Sequence, residues 1–296
     1  MNISAKIIAD SVSPDGIRIT TLELEYPRFI HAEFMTHRVF SRNAASSRAI
    51  PVAKVIEQVR NDPAMPVHWG KNQPGMQAAG ELGGDVLAVA QQHWRAAALN
   101  AADIAEGLAE LGLHKQVANR ILEPFQRMKT VVTATEWYNF FELRCHPDAQ
   151  PEIQVLACAM RDAMAASTPT KLGFGEWHLP YVESMVSDTG DGTRHYGAKG
   201  ELSLTEALKI SASCCAQVSY RKLDDSLDKA LGVYERLVGS VPFHASPFEH
   251  QATPVLPDKV FVDNYLCRNF RGWVQHRALL EDGDYWLADR ANSPAA

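Results

Sequence analysis

Residues 17–26, IRITTLELEY, limit the fold most strongly, because apolar and polar residues mostly alternate along them. Alternation with a period of two places the apolar side chains on one face, which is typical of a half-buried β-strand. The turn sequence SPDG precedes this strand at residues 13–16, and Pro27 interrupts it. The following residues, 29–38, fit either a strand or a helix.

Helical spacing dominates much of the remaining chain, with predicted helices over residues 85–111, 114–121, 151–167, 203–218 and 226–238. The sequence predicts Asp85 as an N-cap, Pro151 in a first turn, and a capping box at Ser203-Leu-Thr-Glu206. Residues 129–144, KTVVTATEWYNFFELR, fit a strand or a buried helix equally well. Helices with few strands predict an α+β or α/β fold.

Two segments show no regular pattern. Prolines and the Gly83-Gly84 pair make residues 51–84 a predicted irregular loop or lid, and residues 289–296 a predicted disordered tail. The net charge of −6 argues against a general nucleic-acid or membrane-surface binder. No apolar run approaches the roughly 18 residues of a membrane span. The five scattered cysteines predict neither a zinc site nor a disulfide framework, so we expect no metal and a cytoplasmic protein.

The stretch 37–51, HRVFSRNAASSRAIP, concentrates three arginines and three serines. Guanidinium groups, hydroxyls and turn amides suit a phosphate dianion, although the same residues also form ordinary surface turns. The spacing His37-Arg-x-x-Ser41-x-Asn43-x-x-Ser46-x-Arg48 resembles the signature of flavin-dependent thymidylate synthases, Arg-His-Arg-x-x-Ser-x-Asn-Glu-x-Ser-x-Arg. Three further fragments resemble that family in the same order: residues 119–124 (NRILEP), 140–144 (FFELR) and 148–153 (DAQPEI).

Two more fragments resemble the family out of order. Residues 215–220, CAQVSY, and 244–250, HASPFEH, match segments that precede the signature in the family but follow it here. We therefore predict a circularly permuted arrangement, in which residues 206–252 are the displaced family N-terminal segment and fold back onto the signature. A short echo of the signature at residues 272–277, GWVQHR, is attributed to chance.

The resemblance implies site residues. Ser46 and Arg48 would bind the nucleotide phosphate, Arg120 would reach it from a neighbouring subunit, and Arg144 would grip and polarise the pyrimidine base as the catalytic residue. Glu33 would lie near the nucleotide. The implied flavin contacts are His37, Arg38, Asn43, Asn139, His244 and Ser246.

The sequence also departs from the family pattern. Thr36 stands where the signature has its first arginine, Ala44 replaces its glutamate, and Glu33 replaces a glutamine near the nucleotide. Compensation for the lost charge could come from Arg42, or from Arg268 and Arg271.

The resemblance implies one catalytic domain, 1–296, of α+β class with a central, mostly antiparallel sheet and helices packed around it. It implies a homotetramer that binds FAD, with NADPH and methylenetetrahydrofolate as co-substrates, and converts dUMP to dTMP. The alternatives are a dUMP or dCMP hydroxymethylase or dCMP methylase of the same family. A nucleotide- or flavin-binding protein without turnover is the alternative of another class.

Overall fold

The computed structural model describes residues 3–78, 80–187, 193–219, 225–241, 243–257 and 265–281. The predicted tail at 289–296 lies outside the described residues. The strands are β1 (Ser4–Val12), β2 (Arg18–Pro27), β3 (Ser41–Ala44), β4 (Arg127–Ala134), β5 (Thr170–Lys171), β6 (Ser184–Val186), β7 (Arg194–Tyr196), β8 (Ala252–Pro254) and β9 (Trp273–Gln275). The helices are α1 (His31–Phe34), α2 (Val52–Asn61), α3 (Gly84–Glu110), α4 (Lys115–Ala118), α5 (Tyr138–Arg144), α6 (Pro151–Ala166), α7 (Leu204–Ala216) and α8 (Leu227–Val238).

The central sheet has five strands in the order β3-β4-β2-β1-β5. The first three neighbouring pairs are antiparallel, and the short β5 joins β1 in parallel. Both faces of β2 pack against other parts of the protein, and successive side chains point to opposite faces. Leu22, Leu24 and Tyr26 face a core that includes α6, whereas Ile19 packs with Trp273 on the other side. The predicted α+β class with a mostly antiparallel sheet and surrounding helices is confirmed.

A line of buried hydrogen bonds crosses the sheet between these layers. His178 Nδ1 lies 2.9 Å from Ser11 Oγ, and its Nε2 lies 2.8 Å from Thr21 Oγ1. Thr21 Oγ1 is 2.7 Å from Thr133 Oγ1, which is 2.8 Å from His250 Nδ1. These bonds tie the C-terminal segment to the sheet, because His250 belongs to the predicted permuted segment.

Most predicted helices are confirmed, including the capping box at Ser203 and Glu206 that begins α7. The prediction of an irregular segment over 51–84 is wrong at its start, where Pro51 precedes the helix α2. The valine and isoleucine side chains of α2 share one face and pack against alanines of α3, so packing stabilises the helix. Residues 129–144 divide into the end of β4 and α5.

Two other stretches differ from expectation. The ambiguous residues 29–38 begin in a 3-10 helix, Arg28–Ile30, that leads into the short α1. The helix predicted over 114–121 continues from α4 as a 3-10 helix, Asn119–Phe125. Within the described ranges, no helix has both the length and the apolar character to cross a bilayer.

Candidate active site

Arg144, the last residue of α5, is the centre of one polar cluster. Its Nε donates a hydrogen bond to His37 Nε2 at 3.1 Å, and its Nη1 lies 3.4 Å from Glu33 Oε2. The three residues come from α5, from the loop before β3, and from α1. The structure thus brings together the residues implied for base binding with one residue implied for the flavin.

Aromatic packing holds His37 in place. Its ring meets Phe140 edge-on, with centroids 4.8 Å apart, and stacks on Phe40 at 5.8 Å. Burial, reinforced by the charges of Arg144 and Arg42, lowers the pKa of His37 to about 4. His37 is therefore neutral at pH 7, so its Nε2 can accept the Arg144 hydrogen bond and its proton lies on Nδ1.

Glu33 adds a carboxylate to the cluster, beside the guanidinium of Arg144. An ionised carboxylate only accepts hydrogen bonds, whereas the guanidinium of Arg144 only donates them. Both side chains retain solvent access, at 39% for Glu33 and 22% for Arg144. A ligand at this cluster therefore meets donors and acceptors side by side. Thr36, which stands in place of the signature's first arginine, bonds instead to the backbone oxygen of Glu33 at 2.7 Å.

The turn after β3 carries the residues implied for the phosphate. The backbone N–H of Arg48 donates to Ser46 Oγ at 3.3 Å, and the Arg48 side chain is exposed. Buried Asn119 fixes this turn, because its Nδ2 donates to the backbone oxygens of Ser47 at 2.6 Å and Ile50 at 3.0 Å. Asn119 thus holds the turn from its buried side, while the Arg48 side chain is exposed to solvent.

Arg120 lies beside the same turn of its own chain. Its Nη1 is 3.2 Å from Glu123 Oε1, which also accepts a hydrogen bond from Ser47 Oγ at 3.0 Å. The Arg120 side chain is 57% exposed, so it is accessible to a ligand from solvent. Its contact with a phosphate of a neighbouring subunit stays a prediction.

A third group of residues surrounds a cavity of about 720 Å³, which lies between the signature and residues 249–281. We call it the arginine cavity. Its charged lining is Arg38, Arg42, Arg268, Arg277, Glu249 and Glu281. The volume falls within the roughly 300–1,000 Å³ of small-molecule sites. The four guanidinium groups offer paired hydrogen-bond donors, and such a donor set fits the phosphate oxygens of a diphosphate such as that of FAD.

The remaining implied flavin contacts lie outside this lining. Asn43 Nδ2 donates to the backbone oxygen of Cys215 at 3.1 Å, which joins β3 to α7. Asn139, His244 and Ser246 are exposed. The 3-10 helix Ser246–Glu249 packs on β3, so this part of the C-terminal third lies against the signature. The assignment of residues 206–252 as a permuted family segment and a flavin role for His244 or Ser246 stay predictions.

Sequence reasoning missed part of the cavity. Arg277 lines it, although the echo of the signature around it was attributed to chance. Of the suggested compensating arginines, Arg42 and Arg268 lie in the lining, whereas Arg271 is 75% exposed and pairs with Glu136. The described residues contain no group of three or more His, Cys, Asp and Glu side chains that could hold a metal ion.

Comparison with known proteins identifies the family. The family model described as thymidylate synthase complementing protein matches residues 17–170. A similar solved structure is the UMP/dUMP methylase PolB from Streptomyces cacaoi bound with 5-Br dUMP, at 18% identity and a TM-score of 0.47, over 55% of this chain and 90% of that one. The same methylase bound with 5-Br UMP gives 17% identity and a TM-score of 0.45, over 55% and 89%. No curated protein sequence matches significantly. Since the family model spans more than half of the 296 residues, this chain belongs to the thymidylate synthase complementing proteins, the flavin-dependent thymidylate synthases.

Proposed function

We propose that this protein transfers a one-carbon unit to C5 of a pyrimidine deoxynucleotide, with dUMP converted to dTMP as the leading reaction. FAD would be the bound cofactor, and NADPH and methylenetetrahydrofolate the co-substrates. The observation that supports the proposal is the Arg144 cluster: in a chain of this family, the arginine that the resemblance assigns to the base donates a hydrogen bond directly to His37 of the signature.

The protein's own groups have defined tasks in this reaction. C5 of uracil is a poor nucleophile, and the fixed positive charge of Arg144 stabilises the negative charge that develops on the base. Neutral His37 accepts the Nε hydrogen bond and so orients the guanidinium without adding a competing charge. Ser46, Arg48 and Arg120 would bind the phosphate. The reduced flavin, when bound, supplies the hydride that completes the methyl group.

Glu33 favours a second candidate substrate, dCMP. The pairing edge of cytosine presents a donor at N4 and acceptors at N3 and O2, whereas uracil presents an acceptor, a donor and an acceptor. A carboxylate accepts readily from cytosine N4, and an arginine donates to adjacent acceptors. Glu33 and Arg144, 3.4 Å apart, provide that acceptor and those donors together. Methylation or hydroxymethylation of dCMP is therefore the alternative that this pair supports.

Mass spectrometry of the nucleotide product tests both candidates. Purified protein is incubated with FAD, NADPH, methylenetetrahydrofolate and either dUMP or dCMP. Methylated product from dUMP supports the leading reaction, and methylated or hydroxymethylated product from dCMP supports the second. Flavin binding without product from either nucleotide would contradict both and favour a binding protein without turnover. Glu33→Gln is the informative variant, since it should shift preference from dCMP towards dUMP.

A further inference from the structure

Two of the five cysteines meet at the contact between α5 and α6. Cys145 caps the C-terminus of α5, directly after Arg144, and Cys158 lies in the middle of α6. Their thiols lie close enough to share a hydrogen bond, although a loop and two turns of α6 separate them in the chain. The structure thus brings together two thiols whose spacing in the sequence does not mark them as a pair.

Backbone contacts beside the pair hold the two helices together. Gln154 Nε2 donates to the backbone oxygen of His146, the residue after Cys145, at 2.8 Å. Gln154 and Cys158 lie one turn apart on the same face of α6, so this bond turns the face that carries Cys158 towards Cys145. The backbone N–H of Cys145 donates to Phe141 at 2.9 Å, within the last turn of α5. The proximity of the thiols therefore follows from the packing of α5 on α6.

The pair is also the accessible part of the cysteine set. Cys145 and Cys158 are half-buried. The other three cysteines are buried: Cys214, Cys215 and Cys267. Burial, followed by the hydrogen bond with Cys158, raises the pKa of Cys145 to about 11. Arg161, one turn after Cys158, interacts electrostatically with both sulfurs, and a nearby guanidinium stabilises a thiolate. Because the thiolate is the nucleophile, reaction of the pair with an oxidant should become faster as the pH rises.

We propose that Cys145 and Cys158 form a reversible disulfide when a peroxide oxidises them, and that this bond ties the end of α5 that carries Arg144 to α6. One sulfur attacks an oxygen of hydrogen peroxide as the thiolate, the O–O bond breaks, and the hydroxide that leaves takes up a proton to become water. The second sulfur then displaces the hydroxyl of the sulfenic acid, which leaves with the second thiol proton as water. Two thiols are thereby oxidised to one disulfide, and one peroxide is reduced to two waters.

Peptide mass spectrometry of the full chain tests the proposal, with hydrogen peroxide as the oxidant and dithiothreitol as the reductant. Cleavage after Arg144 and Arg161 releases residues 145–161 as one peptide that contains both cysteines. After peroxide treatment, denaturation and alkylation, this peptide should carry no alkyl group and should weigh two hydrogen atoms less than the reduced peptide. Dithiothreitol should restore two thiols that can be alkylated. The peptides that contain the three buried cysteines should be alkylated in both samples.

Cys158→Ser is the informative variant, because its hydroxyl can keep the hydrogen bond whereas a disulfide can no longer form. Its peptide should keep an alkylated Cys145 after peroxide treatment. Cys267→Ser is the matched control, and it should form the 145–158 disulfide as the unmodified protein does. Thermal melts establish that both variants are folded.

Amide hydrogen exchange measures the tie between the helices. Residues 141–146 should exchange roughly tenfold more slowly in the oxidised protein than in the reduced protein, because a cross-link opposes local opening. Peroxide should not slow this exchange in Cys158→Ser. Equal exchange in the oxidised and reduced forms of the unmodified protein would overturn the proposed tie.

Two alkylated thiols in the 145–161 peptide after peroxide treatment would overturn the disulfide, as would a bond from either cysteine to another part of the chain. Oxygen added to one sulfur without loss of the second thiol would count equally against it. These readouts do not depend on nucleotide turnover. Failure of the proposed function would therefore leave the disulfide site standing, and failure of the disulfide would leave the proposed function untouched.

Discussion

Arg144 combines two properties, a positive charge and a planar fork of hydrogen-bond donors. The fork is engaged on one side by His37 at 3.1 Å and on another by Glu33 at 3.4 Å. A lysine would preserve the charge but not this two-sided bonding, because its ammonium is a compact point charge. The contribution of the fork can therefore be measured by a substitution that keeps the charge.

We predict that Arg144→Lys lowers kcat with the preferred nucleotide by about a hundred- to a thousandfold, the range for loss of one oriented donor in a transition state. Steady-state kinetics provide the measurement. Arg161→Lys is the matched control, since Arg161 lies on the exposed surface of α6 beside Asp162. A kcat for Arg144→Lys within threefold of the unmodified protein would rule out the role assigned to Arg144.

At the scale of elements, helices α2 and α3 pack closely together because the α3 residues at their contact are small. Ala98, Ala102 and Ala105 are fully buried against Val55 and its neighbours on α2. Alanine lets the two helices approach closely, so there is little room for a larger side chain. The opposite side of α3 faces solvent and has no such limit.

Ala102→Leu should lower the free energy of unfolding by about 1–3 kcal/mol, because overpacking a close contact forces side chains or backbone to shift. Ala96→Leu is the control on the same helix: Ala96 is exposed, and its substitution should change stability by less than about 0.5 kcal/mol. Urea unfolding measures both variants. Equal effects of the two substitutions would show that α2 and α3 do not pack tightly at Ala102.

The elements also show what the sequence could and could not predict. The Ser203–Glu206 capping box and the terminal Gly239 are local, so they located α7 and α8 correctly. Helix α2 was missed because Pro51, which precedes its first turn, was grouped with the prolines after it. Strand β1 was missed because its alternation of exposed and half-buried residues is short and stops at the register shift between Ile7 and Ala9.

In the candidate site, too, the residues within local motifs could be predicted and those that depend on tertiary packing could not. Arg38 and Arg144 could be located from motifs that are contiguous in the chain. Arg277 could not, because only tertiary packing brings it to the cavity that Arg38 lines. The exposure of His244 likewise depends on how the segment 243–249 turns over β3, which its own residues do not reveal.

At the scale of the whole molecule, buried histidines make stability sensitive to acid. Burial lowers the pKa of His178 and His250 to about 3 and that of His276 to about 4. An exposed imidazole in the unfolded chain titrates near 6.5. Below pH 6.5 the unfolded chain therefore takes up protons that the folded protein does not, and folding becomes less favourable until pH approaches the folded pKa values.

Between pH 6 and pH 4, the free energy of unfolding should accordingly fall by up to about 1.4 kcal/mol per pH unit for each of these histidines. For the three together the slope is up to about 4 kcal/mol per pH unit. Urea midpoints at pH 7, 6 and 5 give the slope. His276→Phe should reduce that slope by about a third, whereas His93→Gln, at an exposed position of α3, should leave it unchanged. A stability that does not vary over this range would contradict the buried neutral state.

The exposed surface of α3 carries apolar residues that could form a contact between subunits. Val86 and Ile104 are 62% and 57% exposed, and their spacing of five helical turns places them on one face. We predict that these exposed apolar side chains contact another subunit. Together with the expected homotetramer, this face predicts that Ile104→Lys lowers the molar mass measured by light scattering. Val241→Lys, at an exposed position near the end of α8, is the control. A monomer for the unmodified protein would contradict the prediction.

The arginine cavity has a consequence for the life of the protein inside a cell. Arg38 emerges early from the ribosome, whereas Arg277 and Glu281 follow only after most of the chain has been made. At about 5–20 residues per second, the interval is roughly ten to fifty seconds. A nascent chain therefore carries the signature for that whole period without the cationic surroundings that complete it. If the FAD of the proposed function binds at this cavity, its capture would follow the synthesis of Arg277, and the cofactor content of a preparation would report the fraction of molecules that have finished folding.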